Sequence, residues 1–71
     1  MDRTPVDSSN IDSIGYESVT QKLEIGFSNG EVYQYSDVPE DVYANLMSAE
    51  SKGRYFYIHI KDIYSYTRIK L

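Results

Sequence analysis

The sequence holds no cysteine and no tryptophan, a single histidine, two prolines and no long apolar run. Each shortage removes a class of protein. Without thiols there is no disulfide framework, thiolate zinc site or redox pair. No stretch approaches the roughly 18 apolar residues that a membrane-spanning helix needs, so no membrane partner is expected. Met1 to Ser9 lacks the charged-then-apolar form of a signal peptide, and the expected compartment is the cytoplasm. Any Ser/His/Asp arrangement would depend on His59 as its base, and no serine stands in a strand-turn-helix nucleophile context. The glycines Gly15, Gly26, Gly30 and Gly53 are scattered, so no phosphate-cradling loop is present. Asp37, Glu40 and Asp41 lack calcium-loop spacing. The expectation is a protein that is not an enzyme and uses no metal or cofactor.

What remains is a chain of 71 residues with eight tyrosines and two phenylalanines. That length gives one domain, which buries roughly 60% of the surface its unfolded form exposes. Such a core rarely contributes more than about 3–5 kcal/mol. Tyrosine suits a thin core, because it combines large apolar area with a hydroxyl that reaches the surface. The net charge of −4 argues against generic nucleic-acid binding, but it is unevenly placed. Residues 1–51 carry ten carboxylates against Arg3 and Lys22, whereas residues 52–71 carry Lys52, Arg54, Lys61, Arg68 and Lys70 against Asp62 alone. Tyr55, Tyr57, Tyr64, Tyr66 and His59 are interleaved with those bases, so any surface that meets phosphate is expected there. The competing reading is a positive end that neutralises the acidic body across the fold.

Residues 1–7 show no periodicity, contain Pro5 and read as a flexible arm, with a single domain over residues 8–71. Ile14 and Tyr16, then Leu23, Ile25 and Phe27, recur at the two-residue period of half-buried strands. Asn29-Gly30 between two β-like runs is a hairpin signal. The spacing predicts an α+β fold: a three-stranded antiparallel meander (Ile14 to Glu17, Lys22 to Ser28, Glu31 to Ser36), then a helix from Pro39 to Ser51 on one sheet face. Pro39 suits the helix start, Glu40 and Asp41 complement its dipole, and Gly53 is placed to close it. Arg54 to Ile63 fits both a strand (Phe56, Ile58, Ile60) and a helix (Phe56, Ile60, Ile63), with local propensity favouring strand. Tyr64 to Lys70 reads as extended and as a candidate to return to the sheet. The expected core is Ile14, Tyr16, Leu23, Ile25, Phe27, Val42, Leu46, Ala49, Phe56 and Ile60.

Hairpin register decides whether Tyr33 and Tyr35 are core or exposed. A two-residue Asn29-Gly30 turn puts both tyrosines outside and buries Gln34, at about 1–3 kcal/mol if its amide finds no partner. A three-residue Ser28-Asn29-Gly30 turn with a glycine bulge pairs Ile25 with Tyr33 and Leu23 with Tyr35, and both enter the core. The second register is expected.

Several local patterns coincide in order: Ser8-Ser9-Asn10-Ile11, Ile14-Gly15-Tyr16, Leu23-x-Ile25-x-Phe27-x-x-Gly30, Tyr33-Gln34-Tyr35, Val38-Pro39, Ala49-x-Ser51-x-Gly53, and Tyr55-Phe56 with Ile60 and Tyr64 beyond. Together they resemble the KTSC family, named for the C-terminal domain of some lysyl-tRNA synthetases and found also as free-standing small bacterial proteins. The resemblance implies a short second helix over Arg54 to Lys61, although Tyr57 and Ile58 stand where that pattern is more polar. It also implies a non-catalytic binding module with RNA as a proposed partner. A protein partner, self-association or a structural accessory role is the alternative. The candidate nucleic-acid-binding residues are Lys52, Arg54, Tyr57, His59, Lys61 and Arg68, beside the Tyr33-x-Tyr35 motif that register assigns to the core.

Overall fold

The Asn29-Gly30 turn sets the register of the sheet. In the computed structural model, which describes residues 1–70, Gly30 takes φ 92° and its N–H donates to the Phe27 carbonyl at 3.0 Å. The Phe27 N–H donates to the Glu31 carbonyl at 2.8 Å, and Asn29 Oδ1 accepts from the Glu31 N–H at 3.0 Å. This is the three-residue turn, and it pairs Leu23 with Tyr35, Glu24 with Gln34 and Ile25 with Tyr33, as expected.

The chain forms β1 (Thr4–Pro5), β2 (Ile11–Glu17), β3 (Lys22–Phe27), β4 (Val32–Tyr35), α1 (Glu40–Ser48), α2 (Lys52–His59) and β5 (Tyr66–Lys70). The strands make one antiparallel sheet in the order β1-β2-β3-β4-β5. The expected three-stranded meander is therefore the centre of a five-stranded sheet. One edge departs from expectation, since residues 1–7 read as a flexible arm yet supply β1, which pairs with β2; at the other edge the extended C-terminal segment does return to the sheet, pairing with β4 after the helical excursion. Residue 71 of the expected domain lies outside the described residues.

Directly paired residues share a sheet face, so Ile14, Tyr16, Leu23, Ile25, Tyr33 and Tyr35 face the helices. Ile14, Leu23, Ile25, Leu46, Phe56 and Ile60 are buried together, joined by Ile11, Tyr35 and Val38. Each fully buried aliphatic side chain stabilises the fold by about 1.5–3 kcal/mol. Tyr16, Phe27 and Val42 pack on this cluster while half-buried. Tyr16 stacks on Tyr43 at 4.6 Å, and its hydroxyl donates to the Val38 carbonyl at 2.6 Å, which ties the entry of α1 to β2.

The helices begin and end differently from expectation. Pro39 is the cap residue rather than the first helical one, and its carbonyl accepts from Val42 and Tyr43. Glu40 and Asp41 fill the first turn, as expected. The helix stops at Ser48, because Ala49 turns extended (φ −68°, ψ 142°), so Ala49 is only half-buried and outside the core. Gly53 does not close α1. Ser51 instead caps α2, its hydroxyl accepting from the Arg54 N–H at 3.3 Å, and Gly53 lies in the first turn. A Cβ there would sit 2.6 Å from Asn10 Oδ1, so glycine serves a close approach and not a left-handed cap. The ambiguous stretch Arg54 to Ile63 is helical to His59, with Phe56 and Ile60 inward.

Candidate functional site

The register that turns Tyr33 and Tyr35 towards the helices also builds a groove. α2 sets Phe56 against Phe27 and Tyr35, and β5 adds Tyr66 directly opposite Tyr35. Between them opens a cavity of about 480 Å³, walled by Phe27, Tyr33, Tyr35, Phe56, Tyr57 and Tyr66. Asn10, Asn29, Glu31, Lys61 and Asp62 give its polar rim. A volume of this order suits a small ligand or a single large side group. Tyr33 and Tyr66 stack face to face at 5.0 Å and 4°, and Phe56 meets both Phe27 and Tyr35 edge-on at 5.5 Å. The walls are thus a continuous aromatic surface held by the core.

The tyrosine pair divides its roles. Tyr35 is 2% exposed. Burial, then the neighbouring Tyr33, Tyr66 and Asp62, pushes its hydroxyl well above the usual phenol range. Tyr33 is half-buried, and its hydroxyl donates to Glu31 Oε1 at 3.2 Å on the rim.

The six candidate nucleic-acid-binding residues do not form one patch. Tyr57, 67% exposed, and Lys61 stand together at the groove, the ammonium 5.0 Å from the ring centroid. Arg54 lies three residues before Tyr57 on the same side of α2. Lys52 and His59 share the other flank with Tyr55, where the imidazole rests on Tyr55 at 4.4 Å and Lys52 Nζ donates to the Ala49 carbonyl at 3.2 Å. Arg68 is across the groove on β5, its guanidinium 3.4 Å from Glu31. Arg54, Tyr57 and Lys61 are therefore one surface, and Arg68 faces it. Sequence reasoning missed Phe27, Tyr66, Glu31 and Asp62 as groove residues. Tyr66 was visible as an alternating aromatic, but its place depends on the pairing of β5 with β4, which no local pattern announces. Among the described residues, no group of three or more His, Asp or Glu side chains is arranged to hold a metal ion, and no helix is long and apolar enough to cross a membrane.

A five-stranded meander interrupted by two short helices, with a Tyr-x-Tyr strand flooring an aromatic groove, defines a small α+β domain with a ligand-sized aromatic recess. The KTSC domain model matches residues 7–64, and the chain belongs to that family. It is 48% identical to a KTSC domain protein from Yersinia pestis, whose crystal structure superposes with a TM-score of 0.91 over 96% of each chain. A protein of Stutzerimonas stutzeri is 43% identical over 56 residues, 79% of both sequences. A lysine–tRNA ligase of Trichormus variabilis is 41% identical over 63 residues, which is 89% of this chain and 11% of the ligase.

Proposed function

We propose that this domain is a non-catalytic, cytoplasmic binding module for single-stranded RNA, with an unstacked base entering the aromatic groove. The observation that carries this reading is Tyr57: a large ring two-thirds exposed at the mouth of an aromatic recess, with Lys61 beside it. A base stacks on such a ring while ammonium and guanidinium groups hold the flanking phosphates, and Arg54 is the nearest further cation on that side. The likeness to part of a tRNA-charging enzyme supports RNA over other polyanions.

The test is an amide NMR titration with short single-stranded and hairpin RNAs. Shifts are expected at Tyr57, Lys61, Tyr33 and Tyr66. Arg54→Ala with Lys61→Ala should reduce the log–log salt slope by about 1.4, two single-strand phosphate contacts at roughly 0.7 each. Absence of any shift at about 50 mM salt, where electrostatic binding is strong, would end the RNA reading. A protein partner then takes its place, favoured by the unpaired outer edge of β5 with Tyr66 and Ile69 about half exposed.

A further inference from the structure

The sheet face turned away from the helices carries a second built site. Ser13 and Gly15 of β2, Glu24 and Gly26 of β3 and Gln34 of β4 lie side by side there through direct strand pairing. The Arg3 side chain crosses this row. A Cβ on Gly15 would sit 2.5 Å from the Asp2 carbonyl oxygen and 3.2 Å from Arg3 Cγ, and one on Gly26 would sit 3.0 Å from Arg3 Nε. Two glycines thus make a floor on which an aliphatic stem and a planar guanidinium lie flat.

The end of the slot is specific. Arg3 Nε donates to Ser13 Oγ at 2.9 Å and Nη1 to Glu24 Oε2 at 2.5 Å, while Gln34 Nε2 holds the other carboxylate oxygen at 3.2 Å. Glu24 is only 4% exposed, whereas the Arg3 side chain is 30% exposed. The carboxylate is built into the sheet, and the cation is laid over it from outside. A buried carboxylate without a cation is strongly disfavoured, so the slot needs an occupant. The segment that supplies one is short: β1 pairs with β2 at Thr4 and Pro5, both exposed, and is anchored just beyond them at Val6, whose N–H donates to the Asp12 carbonyl at 3.1 Å and whose half-buried side chain packs on the core. All five slot residues fall within the KTSC match at residues 7–64, and Arg3 falls outside it.

We propose that this slot is a guanidinium-binding site for an arginine side chain on an extended peptide segment laid along β2, and that Arg3 fills it in cis as a displaceable strap. The fork of an arginine reaches Ser13 and Glu24 together, which the point charge of a lysine does not.

The experiment uses full-length Arg3→Ala, titrated with N-acetyl-arginine methylamide and, separately, with the lysine analogue. Saturable amide shifts are expected at Gly15, Gly26 and Gln34, with affinity at least about tenfold above that for the lysine amide and above that of the parent chain, whose slot is filled. Adding Glu24→Gln to this variant should abolish them. If Arg3→Ala is unfolded alone, the arginine amide should restore the folded spectrum. Absence of both saturable shifts and refolding, equal response to the lysine amide, or binding that survives Glu24→Gln overturns the proposal.

Discussion

The two faces of the sheet use the same strands for opposite purposes. Towards the helices, Ile14, Leu23 and Ile25 are wholly buried under Leu46, Phe56 and Ile60, and stability comes from apolar area removed from water. On the other face, one residue along each strand, a buried carboxylate is covered by a single arginine stem over two glycines. The first face tolerates little loss of volume. The second gains its order from a few directional contacts whose net contribution is small when complete and large when one partner is missing. A period of two thus separates a structural layer from a recognition layer within one β-strand.

Four variants break or sharpen this contrast. Tyr35→Ala removes an aromatic from the apolar side and should destabilise by about 3–5 kcal/mol, enough to unfold so small a domain in urea or thermal melts followed by circular dichroism. Glu24→Ala removes the shared partner of Arg3 and Gln34 on the polar side and should cost about 1–3 kcal/mol by urea denaturation. In the same assay the double change Arg3→Met with Glu24→Met should recover most of that loss, because an apolar pair of similar volume needs no desolvated charge. If the double change remains as unstable as Glu24→Ala, the polar face is structural after all. The smallest effect is alkaline. The Tyr35 hydroxyl is raised from an ordinary value of 10.0. Above that pH the unfolded chain releases a proton that the folded chain keeps, so stability falls, by up to about 1.4 kcal/mol per pH unit for this group. Below it, this group contributes no pH dependence. Tyr35→Phe should leave the neutral melting temperature nearly unchanged and lessen its decline above pH 10.

Local chemistry made the central hairpin legible: Asn29-Gly30 named the turn, and the cost of burying Gln34 chose between its two registers. The apolar alternation of Leu23, Ile25 and Phe27 named the core face. What local chemistry could not announce was pairing at a distance. The alternation from Tyr64 to Lys70 marks an extended segment able to return to the sheet, but its partner β4 lies across the whole helical excursion, and β1 pairs with β2 without any alternation of its own, so the strand order at the edges was not legible. Ser51-Lys52-Gly53 read as the close of one helix because serine and glycine suit either end. The hydroxyl of Ser51, bonded to the Arg54 N–H, shows it to be the start of the next. The candidate site followed the same rule. Tyr57 and Lys61 were found from composition, whereas the groove they border depends on Tyr66 arriving beside Tyr33.

The strand order follows the chain order, so the first strand is one edge of the sheet and the last strand is the other. In an antiparallel ladder the hydrogen bonds run perpendicular to the strands, along the line that joins those edges. A tether pulling on both ends of the domain therefore loads the outermost bonds first and opens them one after another, as a zipper opens, instead of shearing a whole ladder at once. Such a domain strung between two larger bodies would yield at low force from its edges inward, with β1 and its arginine parting first and the Leu23–Tyr35 centre last.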